Sequence, residues 1–205
     1  MRVDDTTHQT RLTLTELLRK KFKGVVDPIG TFLNRLGIAP NTLTFAGLVG
    51  NLIGAMFLAQ GKFLIGGLII LAMGPLDALD GTMARLRGEA SDFGAFVDSV
   101  TDRYIELLIY GGLITHYLQQ ADTFMSGLVF IAAAGSIMVS YVKARAETLG
   151  FEAKWGILTR AERFFVLVPS LVLNHPTVGI AIIAVLANIT ALQRIYIVRR
   201  QAYKK

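Results

Sequence analysis

Six long apolar stretches limit what this sequence can fold into, because each is about as long as a lipid bilayer is thick. An apolar α-helix of about 20 residues crosses the hydrocarbon core of a membrane. Of the 205 residues, 53% are hydrophobic, and the mean hydropathy of +0.51 is too high for an ordinary soluble domain. We therefore predict an all-α integral membrane protein with six transmembrane helices, over residues 41–60, 63–86, 92–119, 124–145, 159–174 and 177–198.

The basic residues predict the orientation of these helices. Six spans place both termini on the same side of the membrane. Of the 21 lysines and arginines, only Lys62 falls in a loop on the opposite side, so the positive-inside rule makes the side with the termini cytoplasmic. Basic loops that face anionic lipid account for the net charge of +6, so we expect a cell-membrane location and no nucleic-acid partner.

The sequence before the first span divides into two parts. Residues 1–12 are polar and predict a flexible tail. Residues 13–38 alternate apolar and basic side chains at helical spacing, which predicts a juxtamembrane amphipathic helix lying along the membrane surface. Gly24 and Pro28 should break that helix into two pieces. The remaining residues, 39–205, form the predicted six-helix domain.

Four aspartates interrupt the apolar pattern. Asp77 and Asp80 are three residues apart, and Asp98 and Asp102 are four apart, so each pair lies on one face of its helix. Carboxylates brought together from two helices repel each other unless cations lie between them. Mg2+ prefers oxygen ligands and commonly bridges substrate phosphates. The sequence contains no cysteine, which excludes disulfides, thiolate metal sites and cysteine nucleophiles.

The aspartates belong to a longer pattern, D-x2-D-G-x2-A-R-x8-G-x3-D-x3-D. With this pattern, the sequence resembles the CDP-alcohol phosphatidyltransferase family. The alternative is two membrane helices whose acidic ends lie near each other by chance, but ionisable residues inside a membrane usually serve a function. The pattern is filled by Asp77, Asp80, Gly81, Ala84, Arg85, Gly94, Asp98 and Asp102.

The resemblance implies two Mg2+ ions in each active site, with Mn2+ as a possible substitute. Asp77, Asp80, Asp98 and Asp102 are the implied metal ligands. The resemblance also makes Asp102 the catalytic base; the alternative is a metal ligand with no part in proton transfer. Two metals clamp both sides of an in-line phosphoryl displacement, and such a reaction depends mainly on positioning and charge stabilisation.

The resemblance further implies a binding site for the donor lipid, CDP-diacylglycerol. Gly81 and Gly94 allow close approach, although plain helix packing would also explain them. Arg85 can bind a phosphate with two hydrogen bonds, although it could instead extend toward the membrane surface. Asn41-Thr42 departs from the family pattern, and we interpret it as tolerated turn variation. The implied contacts are Pro40, Asn41, Thr42, Leu43, Asp80, Gly81, Arg85, Ser91 and Gly94.

A second group of basic residues lies near the cytoplasmic ends of the last three spans. Several cations beside a metal site form an anion pocket, and the metals would take the donor pyrophosphate. The pocket therefore predicts an acceptor that carries its own phosphate. Positive-inside topology alone is the alternative, and it explains Lys143 better than it explains Arg160 or Arg194. The predicted acceptor residues are Lys143, Arg160, Arg163 and Arg194.

The segments SYVKARAE, TRAER and QR resemble the phosphatidylinositol phosphate synthase branch of the family. That branch implies inositol 1-phosphate as the acceptor, CMP as the leaving group and a homodimer. Glycerol 3-phosphate is the rival acceptor, since it also carries a phosphate. A membrane transporter or divalent-cation channel is the rival class, but no internal repeat is visible and the charges gather at one end of the spans.

Overall fold

The computed structural model describes residues 14–203, and within that range it leaves out the side chains of residues 14–20, 22 and 77. The predicted tail, residues 1–12, lies outside the described residues. All regular structure in the described part is helical, which confirms the all-α part of the predicted fold class. The helices are α1 (Leu14–Arg35), α2 (Pro40–Ala59), α3 (Phe63–Arg87), α4 (Asp92–Gln119), α5 (Thr123–Thr148), α6 (Arg160–Val172) and α7 (Pro176–Ala202).

Helix α1 corrects one sequence prediction. It runs without a break from Leu14 to Arg35 with Pro28 inside it, so the predicted division at Gly24 and Pro28 is wrong. Proline removes one backbone hydrogen bond, but packing of the whole helix can offset that loss. Here Gly30 is buried on α3 beside Met83, which holds the second half of α1 in place.

The other helices form a closed ring in which α2 packs against both α3 and α4. Continuing around the ring, α4 packs on α5, α5 on α7, α7 on α6, and α6 on α3, while α1 lies outside against α3. Small residues allow the closest approaches: a Cβ added to Gly66 of α3 would lie 2.9 Å from the carbonyl oxygen of Gly54 in α2. The two aspartate-bearing helices are therefore held in place by α2.

Four of the described helices, α2, α3, α5 and α7, are long and apolar enough to cross a membrane. The predicted third and fifth spans correspond to α4 and α6, which are not among these four. The apolar part of α4 contains Asp102, Arg103 and Glu106. Helix α6 has only 13 residues, which extend about 20 Å at 1.5 Å per residue. Helix α4 therefore departs from an ordinary span because of its charged residues, and α6 because of its length.

Candidate active site

The first acidic position lies on α3, where Asp80 is only 6% exposed. The hydroxyl of Thr44 on α2 donates a hydrogen bond of 2.6 Å to Asp80 Oδ2. The backbone N–H of Gly81 lies 2.5 Å from Asp80 Oδ1. This carboxylate is thus buried and oriented by a neighbouring helix, as metal-ligating carboxylates commonly are. Sequence reasoning missed Thr44, which lies one helical turn after Pro40.

The residues predicted to bind the donor at the start of α2 form its first turn. Pro40 is the first helical residue, where its fixed φ and missing N–H cost nothing, and Ala39 is the N-cap. Asn41 and Thr42 are exposed beside it, while Leu43 is buried against Leu79 and Met83.

The last turn of α3 supports the connection between α1 and α2. Arg87 donates 2.7 Å and 2.6 Å hydrogen bonds to Asn34 Oδ1 and the Ile38 carbonyl oxygen. These two bonds tie the end of α1 and the turn after it to the helix that carries Asp80. Arg85 is exposed, and its Nη2 donates a 2.7 Å hydrogen bond to the Thr82 hydroxyl. The Arg85 guanidinium also lies over Gly81, where an added Cβ would be 3.4 Å from Nη1.

Ser91 and Gly94 form the N-terminus of α4. Ser91 is the N-cap, and its Oγ accepts a 3.1 Å hydrogen bond from the backbone N–H of Gly94. Residues 92–100 are exposed, including Asp98. The start of α4 therefore presents Asp98 to the surroundings one turn before the buried Asp102.

Asp102 is 6% exposed and forms an ion pair with Arg160, in the first turn of α6. Arg103 forms an ion pair with the other carboxylate oxygen, with Nη1 3.2 Å from Asp102 Oδ2. Its Nη1 also donates a 2.7 Å hydrogen bond to the Ser99 carbonyl oxygen. The structure thus joins two predicted functional residues from different groups, the acidic Asp102 and the basic Arg160.

A second ion pair lies one turn deeper along the same two helices. Arg163 Nη2 lies 2.5 Å from Glu106 Oε1, and the two side chains are 2% and 15% exposed. Arg163 Nη1 also donates a 3.4 Å hydrogen bond to the Leu158 carbonyl oxygen. Sequence reasoning missed Glu106. The signal was available, because an acidic residue four positions after Asp102 in an apolar stretch is as unusual as the aspartates themselves.

The remaining basic residues differ in accessibility. Arg194 of α7 is 3% exposed, and its guanidinium donates to three backbone carbonyl oxygens: 2.5 Å to Val139, 3.4 Å to Trp155 and 3.3 Å to Lys154. Lys143 of α5 is partly exposed and lies 3.8 Å from Glu147. Arg194 therefore fastens the segment between α5 and α6 to α7.

Two further α7 side chains hold the same connecting segment, residues 149–159. Thr190 accepts a 3.0 Å hydrogen bond from the Leu158 N–H. Gln201 bonds both backbone groups of Glu152, at 3.0 Å and 2.6 Å. Three side chains of α7 thus fix a stretch of chain without helix or strand that ends at Arg160.

The donor groups fit a hard divalent cation. Asp80, Asp98 and Asp102 offer carboxylate oxygens, the ligand type that Mg2+ and Mn2+ favour. Among the side chains that the structure describes, no three acidic or histidine side chains come together as a metal cluster; the side chain of Asp77 is outside that description. The buried Asp102 carboxylate has a cationic partner in Arg160.

Comparison with known proteins identifies the family. A sequence model described as CDP-alcohol phosphatidyltransferase matches residues 37–193. The chain belongs to the CDP-alcohol phosphatidyltransferase family. This confirms the family predicted from the aspartate pattern, and this phosphatidyltransferase is a multi-pass membrane protein of that enzyme class.

Relatives extend over nearly the whole chain. An archaetidylinositol phosphate synthase of Pyrococcus horikoshii is 38% identical over 182 residues, which cover 87% of this chain and 93% of the relative. A phosphatidylinositol phosphate synthase of Streptomyces avermitilis is 34% identical over 206 residues, covering 92% of this chain and 84% of the relative. Both of these similar enzymes make inositol phosphate lipids, as their names state.

Crystal structures of a related enzyme have the same fold. The phosphatidylinositol phosphate synthase of Mycobacterium tuberculosis with CDP-DAG bound is 29% identical, with a TM-score of 0.79 over 85% of this chain and 93% of that one. The same enzyme in complex with manganese and citrate gives a TM-score of 0.80 at 29% identity over 85% of this chain and 88% of that one. The relative thus binds CDP-DAG and manganese.

Proposed function

We propose that this phosphatidyltransferase transfers the phosphatidyl group of CDP-diacylglycerol to a hydroxyl of inositol 1-phosphate. The products are phosphatidylinositol phosphate and CMP, in phospholipid biosynthesis. The observation that carries this proposal is the ion pair between Asp102 and Arg160. It places a buried carboxylate of the family pattern against a guanidinium suited to a phosphate, which is what a phosphorylated acceptor requires.

The metal ligands in this proposal are Asp77, Asp80, Asp98 and Asp102. They would hold two Mg2+ ions, or Mn2+ in their place, which neutralise the donor pyrophosphate and polarise its phosphorus. The hydrogen bond from Thr44 supports this assignment, because it fixes the orientation of the Asp80 carboxylate.

The donor nucleotide binds in this proposal between the first turn of α2 and the facing ends of α3 and α4. Arg85 is exposed and presents a planar guanidinium for a phosphate. Gly81 lies beneath that guanidinium, so its missing side chain lets Arg85 lie close to the helix backbone. Together, the proposed CDP-diacylglycerol contacts are Pro40, Asn41, Thr42, Leu43, Asp80, Gly81, Arg85, Ser91 and Gly94.

The acceptor phosphate binds in this proposal to the basic group of α5, α6 and α7. Arg160 makes the direct contact, because its side chain is 39% exposed. Lys143 is also partly exposed. Arg163 and Arg194 are buried, so they add positive charge and shape behind the pocket. The phosphate would replace part of the interaction that Arg160 makes with Asp102.

The chemical step in this proposal uses Asp102 as the base. Its carboxylate takes the proton of the acceptor hydroxyl, and the oxygen attacks the lipid-side phosphorus. The bond from that phosphorus to the bridging oxygen of the pyrophosphate breaks, and CMP leaves with the electron pair. Arg160 holds the acceptor phosphate so that its hydroxyl lies near the carboxylate that deprotonates it.

The membrane arrangement supports an active site open to the cytoplasm. We infer six spans, with α4 and α6 crossing beside the four more apolar helices, and both termini in the cytoplasm. Helix α1 lies along the membrane surface in this arrangement. Its exposed apolar stripe fits that position, because Val25, Ile29 and Phe32, and Leu36 just after the helix, are each at least 42% exposed. The enzyme would act as a homodimer in the cell membrane.

A panel of acceptors tests the proposal. Purified enzyme with CDP-diacylglycerol and Mg2+ is given inositol 1-phosphate, glycerol 3-phosphate or free inositol, and CMP release is measured. We expect release with inositol 1-phosphate and none with free inositol. Preference for glycerol 3-phosphate would make the enzyme a phosphatidylglycerophosphate synthase. Full turnover in Asp98→Ala or Asp102→Ala would overturn the mechanism.

A further inference from the structure

Two ion pairs join α4 to α6, one helical turn apart. The outer pair is Asp102 with Arg160, and the inner pair is Glu106 with Arg163. The acids are four residues apart on α4 and the arginines three apart on α6, so each set lies on one face of its helix. The two helices are therefore aligned by charge at two successive depths.

The two pairs differ in exposure. In the outer pair, 39% of the Arg160 side chain is exposed, so a ligand can reach its guanidinium. In the inner pair, the Arg163 and Glu106 side chains are only 2% and 15% exposed. A buried charge left without its partner is strongly unfavourable. The ion pair between Glu106 and Arg163 therefore stays intact, while Arg160 can exchange Asp102 for a ligand.

Stability alone does not account for the inner pair. Arg160 and Arg163 both lie in the first turn of α6, where the helix dipole disfavours positive charge. Among the described residues, Glu106 Oε2 and Arg163 Nε are buried without a hydrogen-bond partner. A well-packed apolar pair is often as stable as a buried ion pair. Such imperfect polar groups are typical of functional sites.

We propose that Glu106 is a positioning residue of the active site. Its carboxylate fixes Arg163, and Arg163 fixes the first turn of α6, so the Arg160 guanidinium is held at the depth of Asp102. The hydrogen bond from Arg163 to the Leu158 carbonyl also fixes the chain that enters α6. Glu106 thereby sets the position of the acceptor phosphate without contacting it. This inference rests on the proposed function.

The test is a kinetic comparison of Glu106→Gln with the wild type. We expect the KM for inositol 1-phosphate to rise about tenfold or more, because small displacements of a positioning group have large kinetic effects. The KM for CDP-diacylglycerol should stay within about twofold. Glu152→Gln is the matched control, because this exposed glutamate makes its hydrogen bonds to Gln201 through backbone atoms.

Two further variants separate positioning from a purely structural role. Glu106→Asp keeps the negative charge but shortens its reach to Arg163, so the acceptor KM should still rise while the melting temperature falls less than in Glu106→Gln. Because Glu106 acts through Arg163, Glu106→Gln should have no further effect on acceptor KM in an Arg163→Gln background. If Glu106→Gln folds poorly, Glu106→Asp alone decides the question.

The outcomes distinguish this inference from the proposed function. If none of the phosphorylated polyols causes the wild type to release CMP, the proposed function fails. If the wild type is active but Glu106→Gln and Glu106→Asp leave the acceptor KM unchanged, only the positioning role fails. Equal rises in the KM of both substrates would likewise overturn it, because Glu106 would then act on the whole site.

Discussion

The hydroxyl of Thr44 on α2 donates a 2.6 Å hydrogen bond to the buried carboxylate of Asp80 on α3. We predict that Thr44→Val lowers the affinity for Mg2+ about tenfold or more, because hydrogen bonds orient ligating carboxylates. Thr44→Ser keeps the hydroxyl and should remain near the wild type. The measurement is CMP release against free Mg2+ concentration. An unchanged Mg2+ dependence in Thr44→Val would show that this bond only supports packing.

In the proposed function, the Arg160 guanidinium binds the acceptor phosphate with two parallel hydrogen bonds. Arg160→Lys keeps the charge but loses the forked geometry, so we expect the KM for inositol 1-phosphate to rise about tenfold. The KM for CDP-diacylglycerol should change little. Arg145→Lys, at an exposed position near the end of α5, is the control and should leave both values unchanged. A rise confined to the donor KM would place Arg160 in the donor site instead.

Arg194 supports the connecting segment from inside the protein. Arg194→Met leaves three backbone carbonyl oxygens without their donor, and we expect it to destabilise the fold by about 3 kcal/mol or more. The measurement is the melting temperature of the purified protein. Arg200→Met, an exposed change near the end of α7, should have little effect. If Arg194→Met kept the wild-type melting temperature but lost acceptor binding, Arg194 would be a direct ligand of the phosphate.

Chelation tests the carboxylates as a metal site. EDTA should abolish CMP release, and Mg2+ or Mn2+ should restore it, because carboxylate oxygens bind both ions. Asp80→Asn removes one ligand charge and should demand a higher metal concentration for the same rate. Full activity after exhaustive chelation would contradict the assignment of the aspartates as metal ligands.

The functional pattern could be predicted because its residues are local in sequence. Asp77, Asp80, Asp98 and Asp102 lie within 26 consecutive residues, and together with the glycines, alanine and arginine between them they form the pattern that predicted the family. Helix α4 begins and ends where predicted, at Asp92 and Gln119, because polar residues mark both ends of its apolar part.

The missed features depend on contacts between distant residues. Thr44 is 36 residues from Asp80, and Glu106 is 57 from Arg163. No periodicity within one helix shows that such residues meet. The break predicted in α1 was wrong for a related reason, because the contacts of Gly30 with α3 outweigh the local effect of Pro28.

The shortness of α6 has a consequence for how a water-soluble sugar phosphate meets a lipid. Its 13 residues extend about 20 Å, less than the roughly 30 Å of hydrocarbon in a bilayer. Residues 149–159, which contain no helix or strand and bond to α7 through several peptide groups, lead into α6. Acyl chains cannot satisfy the remaining peptide groups of such backbone, so in the proposed membrane arrangement we expect water on this side of the enzyme, where the aqueous reactant would reach the level of the head groups.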